Sequence, residues 1–437
     1  MANTNNISSA IDTETPARHS SLAPGEIAIG VVIGRASEHF DFFVFGIACV
    51  LVFPSVFFPF VSALEGVLYG FAIFSMAFIA RPFGTALFMT IQRRWGRSVK
   101  LTSALFLLGT ATAGIAFLPS YETLGGTSIL LLALFRILQG FALGGSWDGL
   151  PSLLGLNAPR SKRSWYAMIG QLGAPVGFLI ANLLFFYLIS SVSKEDFQHW
   201  AWRYPFFVAF AINVVALFAR LRLVLTEEYT AALEESELEP ISTRELLDKQ
   251  GPNIFLGAFA ALASYALFHI VTIFPLSWIF LSESQQISKV LIVQVVGAGI
   301  GIIATIASGV IADRIGKRTT VAIMAVLIGI FALFVPLLLS GSAIMQDAFI
   351  LIGFALLGIS YGQASGTVTA NFERRFRYAG AALTSDLAWL FGAAFAPVIA
   401  LGLSMHFGLS AVTFYLISAV ACTLLALRIN QHLEAAD

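Results

Sequence analysis

Apolar residues run through this chain in long stretches, and about 20 mostly apolar residues in succession are what an α-helix needs to cross a bilayer. Stretches of that kind begin near Glu26, Leu64, Leu101, Ser128, Ser164 and Pro205, and a second set begins near Pro252, Val290, Thr319, Asp347, Tyr378 and Leu409. The pattern predicts an all-α polytopic membrane protein, with about twelve transmembrane helices in two six-helix bundles. Between the sets lies the longest polar stretch, whose glutamates among good helix formers predict a solvated surface helix. The chain accordingly divides into a tail over 1–25, a first bundle over 26–225, a linker over 226–251, a second bundle over 252–428 and a tail over 429–437. The first tail is polar and lacks the basic segment, short apolar core and small-residue site of a cleaved signal peptide.

Composition sharpens this picture. Of 437 residues, 58% are hydrophobic and 11% charged, against roughly 25% charged in a soluble globular protein. There is too little polar surface to clothe soluble domains, so the apolar excess must face lipid. The 25 Lys and Arg balance 25 Asp and Glu, which leaves no basic excess for nucleic acid. Where the charges sit matters more than their sum. The loops after even-numbered spans and the two tails hold about 19 of the 25 basic residues, among them Arg93, Arg94, Arg97, Lys100, Arg220, Arg222, Arg314, Lys317 and Arg318. Lys194, Arg203 and Lys289 fall on the opposite side. Because Lys and Arg resist translocation, the basic side and both termini are expected to be cytoplasmic. Cys49 and Cys422, both inside apolar runs, are too few for a disulfide framework or a metal cluster. No Gly-rich phosphate loop ending in Gly-Lys-Ser/Thr and no nucleophile–base spacing is present, so neither an ATP-driven pump nor an enzyme is expected, and no cofactor or metal.

Two loops at matching places in the halves share one spacing. After the eighth span stand Gly309, Asp313, Arg314, Gly316, Lys317 and Arg318; after the second, Met89, Arg93, Arg94, Gly96, Arg97 and Ser98 occupy the same offsets. Repeated six-span halves joined by a linker are the mark of transporters that rock one half against the other around a site near the bilayer midplane. Gly140 with Gly144, and Gly173 with Gly177, predict close helix contacts, while Pro175 and Pro397 predict kinks at corresponding places.

Further motifs follow the same order along nearly the whole chain. They are Gly34-Arg35 with Glu38-His39-Phe40-Asp41-Phe42, then Arg81-Pro82-Phe83-Gly84, then Arg136, Gln139-Gly140 and Gly144-Gly145-Ser146-Trp147, then Trp200, Trp202 to Phe206, and Arg377-Tyr378 with Gly380. In these the sequence resembles the major facilitator superfamily, and in detail its metabolite:proton symporter family. The resemblance implies a secondary active transporter of the bacterial inner membrane. It departs from the family at Met89 and Arg93, where a Gly and an Asp are the rule, at Ser146 in place of Glu, and at Arg35 and His39 in place of Asn and Trp. At Met89 and Arg93 the departure removes a close helix contact and a carboxylate latch expected of the first-half loop.

A charge near the bilayer centre costs at least about 2.5 kcal/mol, so such residues line a cavity or pair. Glu38 and Asp41 in the first span and Arg136 in the fourth are the candidates for proton coupling. Arg35 and Glu38, three residues apart, could equally just neutralise one another. Candidates for substrate binding are Arg35, His39, Gln139, Gln171, His269, Tyr361, Gln363, Asp386 and Trp389. Asp148 near the mouth of the fourth span, with Arg97, Gly309, Asp313, Arg314, Gly316 and Lys317, is assigned to gating or structure. Proton-coupled symport of a small polar metabolite is the expected function, with the proton as co-substrate, the bilayer as surroundings and a monomer as the working unit. Arg35 and Arg136 favour an organic acid anion. Glu38, Asp41 and Asp386 would suit a zwitterion such as a betaine, and the altered first-half loop would suit a sensor that keeps a transporter fold without flux.

Overall fold

Eleven helices among the described residues are long and apolar enough to cross a membrane. The computed structural model describes residues 24–147, 149, 154, 158–224, 239–364 and 372–434. Asp148 and linker residues 226–238 lie outside them. With the first helix added, the first half is α1 (Pro24–Leu51), α2 (Ala63–Trp95), α3 (Arg97–Ala116), α4 (Gly126–Gly145), α5 (Arg163–Ser191) and α6 (Tyr204–Val224). The second half is α7 (Leu262–Ser282), α8 (Ile287–Ile315), α9 (Lys317–Ser340), α10 (Ala343–Ala364), α11 (Arg377–Phe407) and α12 (Ser410–Glu434). What sets α1 apart is charge, not length. It has 28 residues, about 42 Å at 1.5 Å each, but every 18-residue window of it contains Arg35, Glu38 and Asp41.

The duplicated loops fold alike. Gly96 between α2 and α3 has φ 87°, and Gly316 between α8 and α9 has φ 88°. That left-handed backbone costs an L-residue free energy and a glycine almost none, which is why both copies keep Gly at this offset. Gly309 lets α8 touch α5, because a Cβ there would lie 2.9 Å from the Trp165 Cα. In the first half the contact survives in another form. Met89 is buried and packs with Ala379, Ala382 and Leu383 of α11, so the larger side chain fills the space instead of opening it.

The two predicted kinks are full breaks. α5 interrupts its first segment, Arg163–Ile169, with a turn and restarts at Gly173, close to Pro175. α11 passes through a π-helical stretch, Trp389–Ala394, and restarts at Ala396 with Pro397 in its first turn. Proline lacks an N–H and clashes with the carbonyl four residues before it, so it is best placed where a helix begins. The helix Thr243–Ala260, capped by the Ser242 hydroxyl on the Glu245 amide, leads into α7. The last residues of the polar linker are therefore already helical.

Each half is built from close small-residue contacts. A Cβ on Gly140 or Gly144 of α4 would run into the Ala77 or Arg81 carbonyl of α2, and one on Gly177 of α5 would lie 2.7 Å from the Phe40 amide of α1. The halves meet along α2 with α11, α5 with α8, and α1 with α7. One hydrophobic core runs across that seam, joining Phe43 and Phe74 to Phe268, Phe354 and Trp389.

Candidate functional site

Three layers of polar and aromatic side chains lie along the seam, and α1 contributes to each. The first is enclosed in the first half. Asp41 Oδ1 accepts from Gln139 Nε2 at 2.9 Å, and Oδ2 accepts from the Thr112 hydroxyl at 2.6 Å and from Asn213 Nδ2 at 2.8 Å. Donors from α3, α4 and α6 thus converge on one buried carboxylate, which makes no ion pair among the described residues. Gln139 also accepts from Arg136 Nη1 at 3.0 Å. Arg136 Nε donates to the Phe74 carbonyl at 3.3 Å, and ring faces cover the guanidinium, whose carbon lies 4.2 Å from the Phe45 centroid, 4.8 Å from Phe74 and 5.0 Å from Phe42. Such cation–π contacts replace part of the water a buried cation has lost. Gln139, a substrate candidate by sequence, is placed instead between Arg136 and Asp41.

The second layer lies one turn toward the basic side. Glu38 Oε2 pairs with Arg35 at 3.0 Å, and its Oε1 pairs with Arg220 at 2.9 Å and accepts from the Ser146 hydroxyl at 2.8 Å. The neutralising Arg35 partner is confirmed, and Arg220, counted with the loop charges, turns inward as a second. His39 gives Nδ1–H to the Arg35 carbonyl at 2.8 Å. Across the seam, Arg81 Nε of α2 lies 2.7 Å from Asp386 Oδ1 of α11, and the Thr85 hydroxyl donates to Oδ2. This ion pair joins the two halves.

The third layer is aromatic. Trp389 stands 5.8 Å from both His39 and Phe78, 4.9 Å from Phe268, 5.1 Å from Tyr265 and 6.0 Å from Tyr361. His269 stacks on Phe42 at 5.3 Å and is wholly buried; its Nδ1 is 3.4 Å from the Thr272 hydroxyl and its Nε2 has no hydrogen-bond partner among the described residues. Between Phe43, Phe178, Phe268, Phe354 and Tyr361 the rings leave a cavity of about 20 Å³, room for little more than one water-sized group. Gln171 sits in the break of α5, with its side chain in no hydrogen bond among the described residues.

On the basic side a set of crossing hydrogen bonds ties the halves. Asp313 accepts from the Ser164 amide at 2.8 Å and the Trp165 amide at 3.3 Å, capping the start of α5 from the other half. Gln363 donates to the Ser164 carbonyl at 3.3 Å and to Ser308 at 3.1 Å, which places this substrate candidate among the crossing bonds. In the matching place Tyr378 of α11 donates to Gln92 Oε1 at 3.0 Å, and Lys100 reaches the same oxygen at 3.0 Å. The latch absent at Arg93 is thus rebuilt one residue earlier from neutral Gln92, with Lys100 beside it. Arg97 and Lys317 are half-buried at the starts of α3 and α9, and Arg314 is exposed. Asp313→Ala is expected to speed hydrogen exchange of the Ser164 and Trp165 amides about tenfold or more, the loss of a charge-assisted bond of ~1.5–3 kcal/mol. Asp313→Asn, which retains an acceptor, is expected to change it less.

Arg81, Thr85, Thr112, Ser146, Asn213 and Arg220 are site residues that composition and spacing did not single out. Two of them carried a signal, Arg81 as an arginine within an apolar run and Ser146 as a departure from the family's Glu.

Comparison with known proteins agrees with this architecture. A family model described as Major Facilitator Superfamily matches residues 94–386. The inner membrane metabolite transport protein YhjE of Escherichia coli K12 is 36% identical over 416 residues, 93% of this chain and 94% of that protein. The shikimate transporter of the same organism is 30% identical over 389 residues, 87% of this chain and 88% of that one. The proton:xylose symporter XylE, solved with 6-bromo-6-deoxy-D-glucose, superposes with a TM-score of 0.70 at 16% identity, covering 94% of this chain and 95% of that one. At that identity the likeness is one of fold.

Proposed function

We propose that this chain, which belongs to the major facilitator superfamily, couples uptake of a small organic acid anion to protons by alternating access. Membership makes it an integral membrane transporter and not an enzyme. The proton part rests on the contrast between its buried acids. Protonating Glu38 would strand the guanidiniums of Arg35 and Arg220, and protonating Asp386 would strand Arg81. Asp41 has neutral donors only, so a proton there breaks no direct ion pair among the described residues. Gln139 links that carboxylate to Arg136, which makes the Asp41, Gln139 and Arg136 chain the coupling element and Asp41 its proton carrier.

The anion part rests on the seam, where Arg35 and Arg81 converge beside Trp147, Trp389 and Tyr361. Apolar walls with a few placed cations are the usual make-up of a site for a small carboxylate. The crossing bonds of Asp313, Gln363, Tyr378 and Asp386 close the basic side, which is the cytoplasmic side if the loops follow the charge rule. Both termini then lie in the cytoplasm, the membrane is the bacterial inner membrane, and one chain holds the whole site.

Uptake of labelled organic acids, beginning with shikimate, into proteoliposomes under an imposed pH gradient is the test. Accumulation that follows the gradient supports the proposal, and indifference to it removes proton coupling. Gradient-driven uptake of a betaine in place of acids transfers the site to zwitterions. Binding without flux under any gradient indicates a sensor.

A further inference from the structure

Arg81 uses only part of its guanidinium. Its Nε lies 2.7 Å from Asp386 Oδ1 but directs no aligned hydrogen bond at it, so charge more than geometry holds the pair. The terminal nitrogens make no hydrogen bond among the described residues. The Arg81 side chain is 12% exposed, against 3% for Asp386. Arg136 differs in being roofed by three phenyl rings and Glu38 is already shared by Arg35 and Arg220. Arg81 is also rigidly mounted: Gly144 packs on its carbonyl, and the Thr85 hydroxyl, one turn on, secures Asp386. Phe78 and Trp389, one turn from Arg81 and from Asp386, stack at 5.8 Å and 20° to form a flat apolar wall beside the pair.

We propose that the terminal nitrogens of Arg81 are the carboxylate-binding edge of the transport site, and that a bound carboxylate competes with Asp386 and so loosens the link between the halves. The inference rests on the organic-anion proposal and adds to it a residue, a ligand shape and a consequence. A guanidinium presents two parallel N–H groups to a carboxylate, a fit that is bidentate and directional. The ligand class is a carboxylate on a flat, largely apolar skeleton that can lie against Phe78 and Trp389. Such a ligand and Asp386 share one cation, so occupancy weakens an ion pair that joins α2 to α11. Binding energy is thereby converted into freedom for the halves to move, as a ligand must do if it prefers one state over another.

Sodium benzoate, with benzamide as its uncharged counterpart, is a suitable probe in thermal-shift titrations of the purified full-length protein. Benzoate is expected to stabilise the wild type and benzamide is not. Arg81→Gln is expected to lose the benzoate response and Arg81→Lys to keep a weaker one. Asp386→Asn removes the competitor, so benzoate should bind about five- to tenfold more tightly, a change of ~1–1.4 kcal/mol. A purely structural ion pair gives the opposite sign, because its loss loosens the site. No benzoate response in the wild type, wild-type affinity in Arg81→Gln, or weakened affinity in Asp386→Asn each overturns the proposal; should Arg81→Gln fail to fold, Asp386→Asn decides alone. Gradient-driven uptake of acids that survives Arg81→Gln would reject this clamp and leave the symport proposal standing, whereas benzoate binding through Arg81 without gradient-driven uptake would do the reverse.

Discussion

Asp41→Asn is expected to abolish accumulation of substrate driven by a pH gradient, leaving only the level that exchange of labelled for unlabelled substrate can reach. Asparagine is nearly isosteric and its carbonyl oxygen can still accept from Gln139 or Asn213, so the packing of α1 against α3, α4 and α6 should persist. What disappears is the ability to take up and release a proton. Exchange at equal pH needs the halves to rock with substrate aboard and no net proton movement, so it should remain measurable. The comparison is made in proteoliposomes, gradient-driven uptake beside counterflow in the same preparation. Wild-type accumulation in Asp41→Asn would take Asp41 out of coupling. Loss of counterflow as well would point to a fold or substrate-site defect, to be checked by thermal unfolding.

Gly144→Val is expected to be the most damaging single change for stability. Two β-branched methyl groups would have to enter where a lone Cβ already meets the Arg81 carbonyl and the Thr85 amide. Backbone atoms cannot turn aside as a side chain can, so α4 must move away from α2 and the pairing of Arg81 and Thr85 with Asp386 moves with it. The cost is about 3 kcal/mol or more, at the upper end of overpacking. It is read as a lower unfolding temperature in detergent and a smaller monodisperse fraction. Gly299→Ala is the matched control: it lies in α8 with nothing within 4 Å of the added Cβ, and a stability as low as that of Gly144→Val would refute the packing explanation.

Helix number, order and the two-half plan were legible because crossing a membrane is a local demand on length and hydropathy, written into each run by itself. The acids of α1 were legible for the same reason, as charges stranded in apolar sequence. Partners were not. Lys100 and Arg220 read as loop charges by position, yet both turn inward, Lys100 to Gln92 and Tyr378 and Arg220 to Glu38. A long basic side chain near a helix end can reach either way, and groups on other helices decide which. Gln139 and Gln363 are polar residues set in largely apolar helices, as a substrate ligand would be. Only the three-dimensional neighbours assign one to Arg136 and Asp41 and the other to the bonds between halves. Met89 shows the converse, where a departure from the expected small residue is met by the small Ala379 and Ala382 on the partner helix.

The charges of α1 also bear on how the chain is made. Ribosomes deliver α1 before α3, α4 and α6, and in that order Arg35, Glu38 and Asp41 reach the membrane while Thr112, Gln139, Asn213 and Arg220 are still unsynthesised. On an insertion scale each such charge at the centre of a lone helix costs about 2.5–3.5 kcal/mol. The first helix is therefore the poorest candidate in the chain for independent release into lipid. Its stable integration depends on the arrival of α6, so biogenesis of the first half becomes a single cooperative event in which the translocation machinery must retain α1 until its last partner emerges.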